Sequence, residues 1–556
     1  MIKKIDVSTT TNEYASFLRI KNIKGNLYLY EVTPSYNTET KKRSQKSKYI
    51  RKVFPHEDVN NITRDPIPAP IKTPKLKEIK AFGDAYVFHS IVEEIGLRKV
   101  LLKCFLEEDT NFLLLLTAYR LLCGGSLCHL SSWMETSDLL HFYPYEKSLS
   151  SQSISKTLKR IGFHAEEDIS NFFMHWIQTI NREGESLLFD ITSFTSQAHK
   201  MEILEYGYAK DHKPYPQLNM GLLVNQDQHL PMYYKLYPGS LKDVTLLSHM
   251  VEEAKLFGVF SVKLILDRGF YSKYNLNHMH QSEYSFLIPL PRTSTKLYKH
   301  IMLARREELD SPASVCLLKG KPIFAVGGWT TIHNKEALKK NETVSSYPLY
   351  YGLYLDPQRQ AQEKNTFLTD LLLAEKTLQD LDLSTYSNKQ EMVKEIGRTW
   401  TQYFTIEEDS TTRGFTIQRN PEIIQEKLQS LGIFILMSNV QQDLKEMLSQ
   451  YRQRDEVEKV FDAGKNECFG IPLRVHTTET MESTMFVLFL SFIIQTWVGS
   501  KMQKGKVDSK YSIQSLFFEL HKLKKAIWQG KLCIMNEITK AQRILFEQLQ
   551  IVLPNS

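Results

Sequence analysis

The sequence predicts an α/β protein in which helices flank a mixed β-sheet. Three apolar runs typical of buried strands, SLLFD, VKLILD and YSFLIPL, alternate with segments of helical periodicity, and the first two end at Asp190 and Asp267. Between them, LNMGLLV and LPMYYKLY flank a polar turn and predict a hairpin. The order strand, hairpin, helix, strand, helix, strand is typical of a mixed sheet with helices on its faces.

The chain is long enough for several folding units. At about 150 residues per domain, 556 residues predict three or four of them. The pattern of the sequence divides it into a basic β-hairpin module at 1–75, a helical region at 76–184, a first core segment at 185–291, a strand-rich segment at 292–440, a second core segment at 441–500 and a basic, helical C-terminal region at 501–556.

Composition excludes some classes of protein and leaves others open. The formal charge of +7 permits a nucleic-acid partner without requiring one. The six cysteines are scattered, which favours reduced thiols over a zinc site. The strongest apolar run, Met485–Val498, is fourteen residues long, shorter than the roughly 20 that span a bilayer. The first residues have no apolar core of a signal peptide, and we expect a cytoplasmic protein with no membrane partner.

The N-terminal module carries a concentration of positive charge. A strand-like segment, YLYEVTPSY, precedes a polar, basic turn, and KYIRKVF follows it. The turn region is either a solvated loop or a contact for a DNA phosphate backbone, and its composition does not decide between them. Its basic residues are Lys41, Lys42, Arg43, Lys46, Lys48, Arg51 and Lys52.

Two aspartates are candidates for metal ligands because of their positions. Asp190 and Asp267 each end an apolar run. A rigid strand that ends at an open cleft holds a carboxylate in a defined direction. Aspartate is also common in turns and helix caps, so Asp267, followed by Arg268 and a glycine, is equally interpretable as the cap of the next helix.

A third carboxylate lies in the segment YRQRDEVEKVFDAGK. Tyr451, Arg454, Glu458 and Lys465 are spaced by three, four and seven residues, which places them within an arc of roughly 60° on one helix face. The alternative is an exposed, charged helix face with pairing of Arg454 and Glu458. Neighbouring carboxylates also compete for the role, namely Asp455, Glu456 and Asp462.

These segments together resemble the insertion-sequence DDE transposases, in particular the large bacterial members of the insertion-sequence-four-like superfamily. Tyr451, Arg454, Glu458 and Lys465 match all four positions of their Tyr-Arg-Glu-Lys motif. LLFDITSFTS and LILDRGFYS resemble the strands that carry the family's two aspartates. The segment between them resembles the family's hairpin region and its Pro-Gly-x-x-x-Asp turn, through residues Gly207, Asp211, Pro216, Gln217, Pro238, Gly239 and Asp243.

The resemblance implies a fold and a chemistry. The implied fold is a ribonuclease H-like mixed sheet with a β-rich insertion domain at 292–440, because 191 residues separate Asp267 from Glu458. Asp190, Asp267 and Glu458 would be the catalytic residues and would hold Mg²⁺, with Mn²⁺ as a substitute metal. The implied reaction is cut-and-paste transposition by two-metal phosphoryl transfer at terminal inverted repeats.

The resemblance also implies partners and DNA contacts. The partners would be double-stranded DNA, as terminal repeats and as target, and a second copy of the chain in a synaptic homodimer; the location would be the bacterial cytoplasm, at the nucleoid. Trp329 is a candidate for stacking on a flipped base, the alternative being a tryptophan of the core or of a turn. The expected DNA-contacting residues are Tyr451, Arg454, Lys465, Arg268, Lys41, Lys42, Arg43 and Lys46.

Two other functions stay open at this stage. A two-metal nuclease of the same fold would have the same carboxylates and would cut DNA without joining ends. A transposase-derived DNA-binding protein would have lost catalysis, and the presence of all three acidic residues, Asp190, Asp267 and Glu458, argues against it.

Overall fold

The chain divides into two compact units, residues 1–77 with 528–532 and residues 78–527 with 533–556. Each unit is considered by itself. The computed structural model describes residues 15–37, 40–66, 76–180, 186–198, 201–206, 215–226, 228–240, 243–257, 259, 263–282, 284–292, 295–333, 346–380, 397–409, 414–454, 473–528 and 533–554.

The first unit contains a three-stranded antiparallel sheet, β1 (Phe17–Ile23), β2 (Asn26–Asn37) and β3 (Lys42–Lys52), with β2 in the middle. Most of the basic run lies on β3 and not in a turn as the sequence predicted, and of the candidate DNA contacts only Lys41 stays in the turn. The strand extends this far because its backbone pairs with β2 along its length. Its polar side chains are tolerated because they face solvent.

The strand β4 (Leu76–Ala81) begins in the first unit and leads into a helical region of the second, as the periodicity predicted. The third helix is buried along nearly its whole length because its central residues are apolar on every side. The helices are α1 (Gly83–Glu94), α2 (Leu97–Cys104), α3 (Glu107–Leu122), α4 (Leu130–Thr136), α5 (Leu139–Phe142), α6 (Ser151–Phe163) and α7 (Ala165–Ile180).

A nine-stranded mixed sheet is the centre of the second unit. Its order is β10-β11-β12-β15-β9-β8-β5-β6-β7. β8 pairs in parallel with both β5 and β9, and the other pairs are antiparallel. The strands are β5 (Ser186–Thr195), β6 (Gln217–Asn225), β7 (Pro231–Pro238), β8 (Lys263–Ile265), β9 (Ser285–Leu290), β10 (Val315–Leu318), β11 (Lys321–His333), β12 (Ser346–Leu355) and β15 (Ile433–Ser438).

Helices connect these strands along the chain. The hairpin expected between the two aspartates is present as β6 and β7. The helices between β7 and β10 are α8 (Asp243–Leu256), α9 (Lys273–Gln281), α10 (Thr295–Ala304) and α11 (Arg306–Leu309).

The segment 292–440, in which the sequence predicted a β-rich insertion domain, contains six described strands and extends the central sheet. Four of its six described strands pair into the central sheet, because β15 bonds edge to edge with β9 and β12 bonds with β15. The remainder is a small helical layer with a hairpin and its own core around Phe367, Leu371 and Tyr403. It comprises α12 (Pro357–Gln379), α13 (Arg398–Thr401), β13 (Phe404–Asp409), β14 (Gly414–Arg419) and α14 (Pro421–Ser430).

The last part of the second unit contains strands as well as helices, although a helical region was expected at 501–556. Residues 444–454 are helical. After them come α15 (Thr478–Lys504), α16 (Ile513–His521), β16 (Lys524–Trp528), β17 (Cys533–Met535) and α17 (Lys540–Gln548), and β16 and β17 pair antiparallel. The two strands form because Ala526 and Ile527 pair with Ile534 and Cys533, apolar residues at a short spacing.

The helix α15 contains the apolar run Met485–Val498. Among the described helices it alone is long and apolar enough to cross a membrane unaided, and 83% of its apolar stretch is buried inside the protein. α3 would qualify only together with the 127–136 segment, across a bend of 110°. The sequence-based expectation of a buried helix at this run is confirmed.

Candidate active site

Asp190 lies on β5, and Asp267 lies two residues beyond the end of the neighbouring parallel strand, β8. β5 and β8 pair in register, with Leu188 beside Ile265. Asp190 lies two residues after Leu188, and Asp267 two residues after Ile265. Adjacent strands are about 4.8 Å apart, and residues two positions apart along a strand face the same side. The backbones that lead to the two aspartates are therefore neighbours, and both residues follow the Leu188–Ile265 pair by two positions.

Asp190 does not end its strand, which corrects the sequence-based prediction. β5 continues to Thr195 because its other edge pairs with β6, where Leu222 lies opposite Asp190. β8 stops at Ile265. Asp190 therefore stands just past the last residue of β5 that pairs with β8, while its own backbone stays paired with β6.

Asp267 has two partners that orient its carboxylate. Its Oδ1 accepts a hydrogen bond from the backbone N–H of Arg268 at 2.6 Å and begins a short 3₁₀ turn. The same oxygen lies 3.5 Å from Nη2 of Arg454. The capping role that the sequence left as an alternative is therefore real, and it coexists with a position in the cleft.

The helix that carries Tyr451 and Arg454 is held against the sheet by polar contacts. Lys263 of β8 donates hydrogen bonds from Nζ to Oε1 of Gln450 at 2.7 Å and of Gln442 at 3.0 Å. Burial lowers the pKa of Lys263, and the nearby Glu446 opposes this effect. These contacts set the position of the 444–454 helix relative to the strand that leads to Asp267.

Arg454 lies differently from the phosphate contact that the resemblance implied. Only 5% of the residue is exposed, and its guanidinium lies over the ring of Tyr451 at 5.7 Å from the centroid. In the ion pair of Arg454 with Asp267, the arginine is the buried partner and the carboxylate is the more exposed one. Arg454 therefore orients Asp267.

The third expected carboxylate, Glu458, and Lys465 lie outside the described residues, as do Asp455, Glu456 and Asp462. Within the parts of the chain that the structure describes, no three histidine, cysteine or acidic side chains are grouped as a metal site would require. The described part of the site consists of the aspartate pair and the arginine that supports it.

A cleft of about 210 Å³ opens beside Asp267. Four arginines line it, Arg268, Arg292, Arg359 and Arg452. Sequence reasoning had selected Arg268 alone among them. The other three come from a loop after β9, from α12 and from the 444–454 helix, and no spacing in the sequence links them. The pairing of β15 with both β9 and β12 brings these segments together.

Comparison with known families identifies the family of the chain. A model of the family "Transposase DDE domain" matches residues 183–494, which is more than half of the chain and includes both aspartates. The chain belongs to the DDE transposase family. No curated protein matches it.

A solved structure also resembles this transposase. It is the cryo-EM structure of the piggyBac transposase synaptic complex with hairpin DNA, at 12% identity over 79% of each chain, with a TM-score of 0.34.

Trp329 of the transposase is neither in the core nor in a turn. It is on β11, 50% exposed, and meets the ring of Tyr350 edge-on at 5.4 Å. The registers of the intervening strands place Trp329 in the same row across the sheet as Ile265, which precedes Asp267 by two residues. Four strand spacings separate β11 from β8, or about 19 Å.

In the Pro-Gly turn, which is one of the segments that resemble the family, the structure requires glycine at position 239. A Cβ on Gly239 would lie 2.3 Å from the carbonyl oxygen of Gln217, so only glycine fits. Gln217 in turn donates from Nε2 to the Gly239 carbonyl at 3.1 Å. Of the other motif residues in this region, Gly207 and Asp211 lie outside the described part of the chain.

Two serines near Asp190 have structural roles. Ser193 donates from Oγ to Oδ1 of Asn219 at 2.8 Å, and Ser196 donates to the Leu473 carbonyl at 3.2 Å. Leu473 also joins the end of β5 through its N–H, which donates to the carbonyl of Thr195 at 2.8 Å. The chain that returns after the undescribed segment 455–472 is thus tied to the strand of Asp190.

The basic residues of the first unit form an exposed strip. Lys42, Arg43 and Lys46 on β3 are all exposed, and Lys41 precedes them with a positive φ of 47°. Along the strand, Lys42 and Lys46 share one face while Arg43 points to the other. A DNA backbone could approach this edge strand without any rearrangement of the sheet.

Proposed function

We propose that this transposase carries out cut-and-paste transposition of an insertion sequence by two-metal phosphoryl transfer at its terminal inverted repeats. The observation that carries the proposal is that Asp190 and Asp267 each follow, by two residues, the paired Leu188 and Ile265 of the neighbouring parallel strands β5 and β8. Two carboxylates at this spacing can share divalent ions, which activate the attacking oxygen and stabilise the leaving oxygen when bound.

The donors fit Mg²⁺, which takes oxygen ligands and keeps part of its water shell. We assign Asp190 as the residue shared between two ions and Asp267 as a ligand of one. Glu458 follows Arg454 by four residues, the spacing at which the sequence pattern predicts a shared helix face. We assign Glu458 to the other ion on that basis, with Mn²⁺ as a substitute metal.

The remaining partners follow from the reaction. Two ends of one element must be held together, so we propose a homodimer on double-stranded DNA, with target DNA bound at the same face. A nuclease without strand transfer is the second candidate function, because the same aspartate pair serves both reactions. The two candidates differ only in what becomes of the cut 3′ ends.

The test uses linear DNA that carries both ends of the element encoding the chain, incubated with the full-length protein and Mg²⁺. We expect excision and joined products, and neither in the presence of a chelator. Asp190→Asn, Asp267→Asn and Glu458→Gln should each lower cleavage by at least about 1000-fold, while DNA binding persists. Asp310→Asn, in an exposed i,i+4 pair with Arg306, is the matched control and should cleave normally.

The outcomes separate the candidates. Cleavage without joining would favour the nuclease, and binding without cleavage by the wild-type chain would favour a silent DNA-binding protein. Near-normal cleavage by any one of the three variants would show that its residue is not a ligand of the catalytic ions.

A further inference from the structure

The cleft beside Asp267 contains more positive charge than its own ion pairs neutralise. Arg268, Arg292, Arg359 and Arg452 line it. Among the described residues, the carboxylates that pair with these four guanidiniums are Glu363 and Asp356. Asp267 has its own cation in Arg454. Four positive groups facing two negative ones leave an excess of two positive charges.

One carboxylate orients two of the arginines. Arg292 donates from Nη2 to Glu363 at 3.0 Å, and Arg359 donates from Nε to the same carboxylate at 2.8 Å. Burial alone would raise the pKa of Glu363, but hydrogen bonds from the Gly432 N–H, Arg359 and Arg292 outweigh it, and the pKa lies below its ordinary value. Glu363 therefore stays ionised and fixes both guanidiniums at the cleft wall.

Further contacts make these arginines rigid. Arg292 also donates from Nη2 to the Ile433 carbonyl at 2.9 Å, and the guanidinium of Arg359 lies over the ring of Phe434 at 5.8 Å from its centroid. Less entropy is lost on binding when a guanidinium is already held in place. The cleft thus has the properties of a built anion site.

Arg452 is held by a carboxylate that has a second function. Its Nη2 lies 3.1 Å from Oδ2 of Asp356, and Asp356 also caps α12 by accepting the N–H of Arg359 on Oδ1. Both side chains are partly exposed, at 27% and 17%. A competing anion that enters the cleft can reach this pair.

We propose that the arginine cleft binds a backbone phosphate of the DNA strand next to the phosphodiester that is cut, and that Asp356 competes with this phosphate for Arg452. The inference rests on the proposed function, since Asp267 marks where cleavage takes place. At about 210 Å³, the cleft is smaller than the roughly 300 Å³ at which small-molecule sites begin. Arginine binds phosphate oxygens in a bidentate manner, which suits a single phosphodiester.

The first experiment changes only charge. Asp356→Asn keeps an equally good helix cap but frees Arg452, so affinity for a duplex bearing the element end should rise about threefold, measured by fluorescence anisotropy without metal. Arg452→Gln should lower affinity about five- to tenfold and reduce the slope of log K against log salt by about 1. The double variant, Asp356→Asn with Arg452→Gln, should have the same affinity as Arg452→Gln alone, because Asp356 competes with the phosphate only for Arg452.

An ion pair outside the cleft provides the control. Arg306 of α11 pairs with Asp310, and its side chain is as exposed as that of Arg452, at 26% against 27%, although Asp310 is more exposed than Asp356. Asp310→Asn and Arg306→Gln should leave affinity and salt slope unchanged. Equal melting temperatures of all variants would confirm that folding is intact. If Asp356→Asn fails to raise affinity, or the double variant binds more tightly than Arg452→Gln, the cleft does not bind DNA and its ion pairs are structural.

A second experiment locates the phosphate. Single methylphosphonates, which are neutral, are placed one at a time along each strand around the cleavage site. One position within two nucleotides of the cut should weaken binding by wild type about tenfold and by Arg452→Gln less than twofold. Equal effects on both proteins at every position overturn the inference, even though wild-type cleavage stands. Failure of wild type to cleave at all would refute the proposed function instead.

Discussion

The guanidinium of Arg454 lies 3.5 Å from the carboxylate of Asp267, and the arginine is the buried partner, with 6% of its side chain exposed against 41% for the aspartate. The exposed carboxylate is thus held by a cation that DNA cannot easily reach. In the motif that this sequence resembles, Arg454 was expected to contact a phosphate, whereas its position indicates that it orients Asp267.

A substitution at Arg454 distinguishes the two roles. Arg454→Gln should lower cleavage of element-end DNA by about 100-fold or more, as loss of one preorganised charge does in other active sites. Affinity for the same DNA without metal should change less than about threefold, or 0.7 kcal/mol. Arg454→Lys keeps the charge but loses the planar pair of guanidinium donors, so its cleavage rate should lie between those of the wild type and Arg454→Gln. A loss of affinity as large as the loss of cleavage would mean that Arg454 contacts phosphate directly.

Trp329 is placed to stack on a base without being needed for folding. Because half of the residue is exposed, Trp329→Ala should leave the melting temperature nearly unchanged. Stacking on one base contributes about 1–3 kcal/mol, so the variant should slow processing of the second strand about 10- to 100-fold, while the first nick proceeds normally. Trp329→Phe should retain most of the activity.

The readout for Trp329 is a gel assay that separates nicked from fully excised DNA. Tyr274→Ala, at a 61% exposed aromatic residue on α9, is the matched control. If Trp329→Ala processes both strands at the wild-type rate, Trp329 does not stack on a base during the reaction.

The basic strip on β3 should contribute to DNA binding through charge alone. Each phosphate contact adds about 0.9 to the slope of log K against log salt. Replacement of Lys42, Arg43 and Lys46 by Gln should therefore reduce that slope by about 2 to 3, equally for specific and unrelated duplexes. The same triple change at Lys364, Lys376 and Lys427 should leave the slope unchanged. If the slope of log K against log salt is unchanged, the basic strip does not contact DNA.

Glu482 on α15 should make stability depend on pH. Burial raises the pKa of Glu482 above its ordinary 4.5, and Lys235 offsets this only in part. The stabilising, protonated form is therefore fully present below pH 4.5 and is lost as pH rises through the raised value. Glu482→Gln lacks this loss, so it should melt at a higher temperature than wild type at neutral pH, and the difference should vanish towards pH 4.

Glu479, three residues earlier on the same helix, provides a control of opposite sign. Hydrogen bonds from the Thr477 side chain and from its own N–H lower the pKa of Glu479. Its stabilising, ionised form is present above pH 4.5 and is lost as pH falls. Glu479→Gln should thus lower the melting temperature slightly at neutral pH. Melting curves from pH 4 to 8 test both, and a shift of the same sign for both variants would contradict the assignment.

Much of the site was readable from local patterns. The short apolar runs before Asp190 and Asp267 predicted strands because period and composition act over a few residues, and the helical spacing of Tyr451 and Arg454 predicted one helix face. The sequence did not predict that β5 continues beyond Asp190, since this depends on pairing with β6. Where the strands of 292–440 lie depended in the same way on a partner, because β15 pairs with β9 and β12 pairs with β15.

The sequence by itself determined the residue types and the local elements of this transposase: two aspartates after apolar runs, a helix face with Tyr451 and Arg454, and a basic N-terminal segment. Tertiary structure alone decided that the strands leading to the two aspartates are neighbours, that Arg454 pairs with one of these aspartates, and that Arg292, Arg359 and Arg452 meet in one cleft. The reason is physical: helical and strand periodicity are set by neighbours in the chain, whereas strand register and ion pairing join residues tens to hundreds of positions apart.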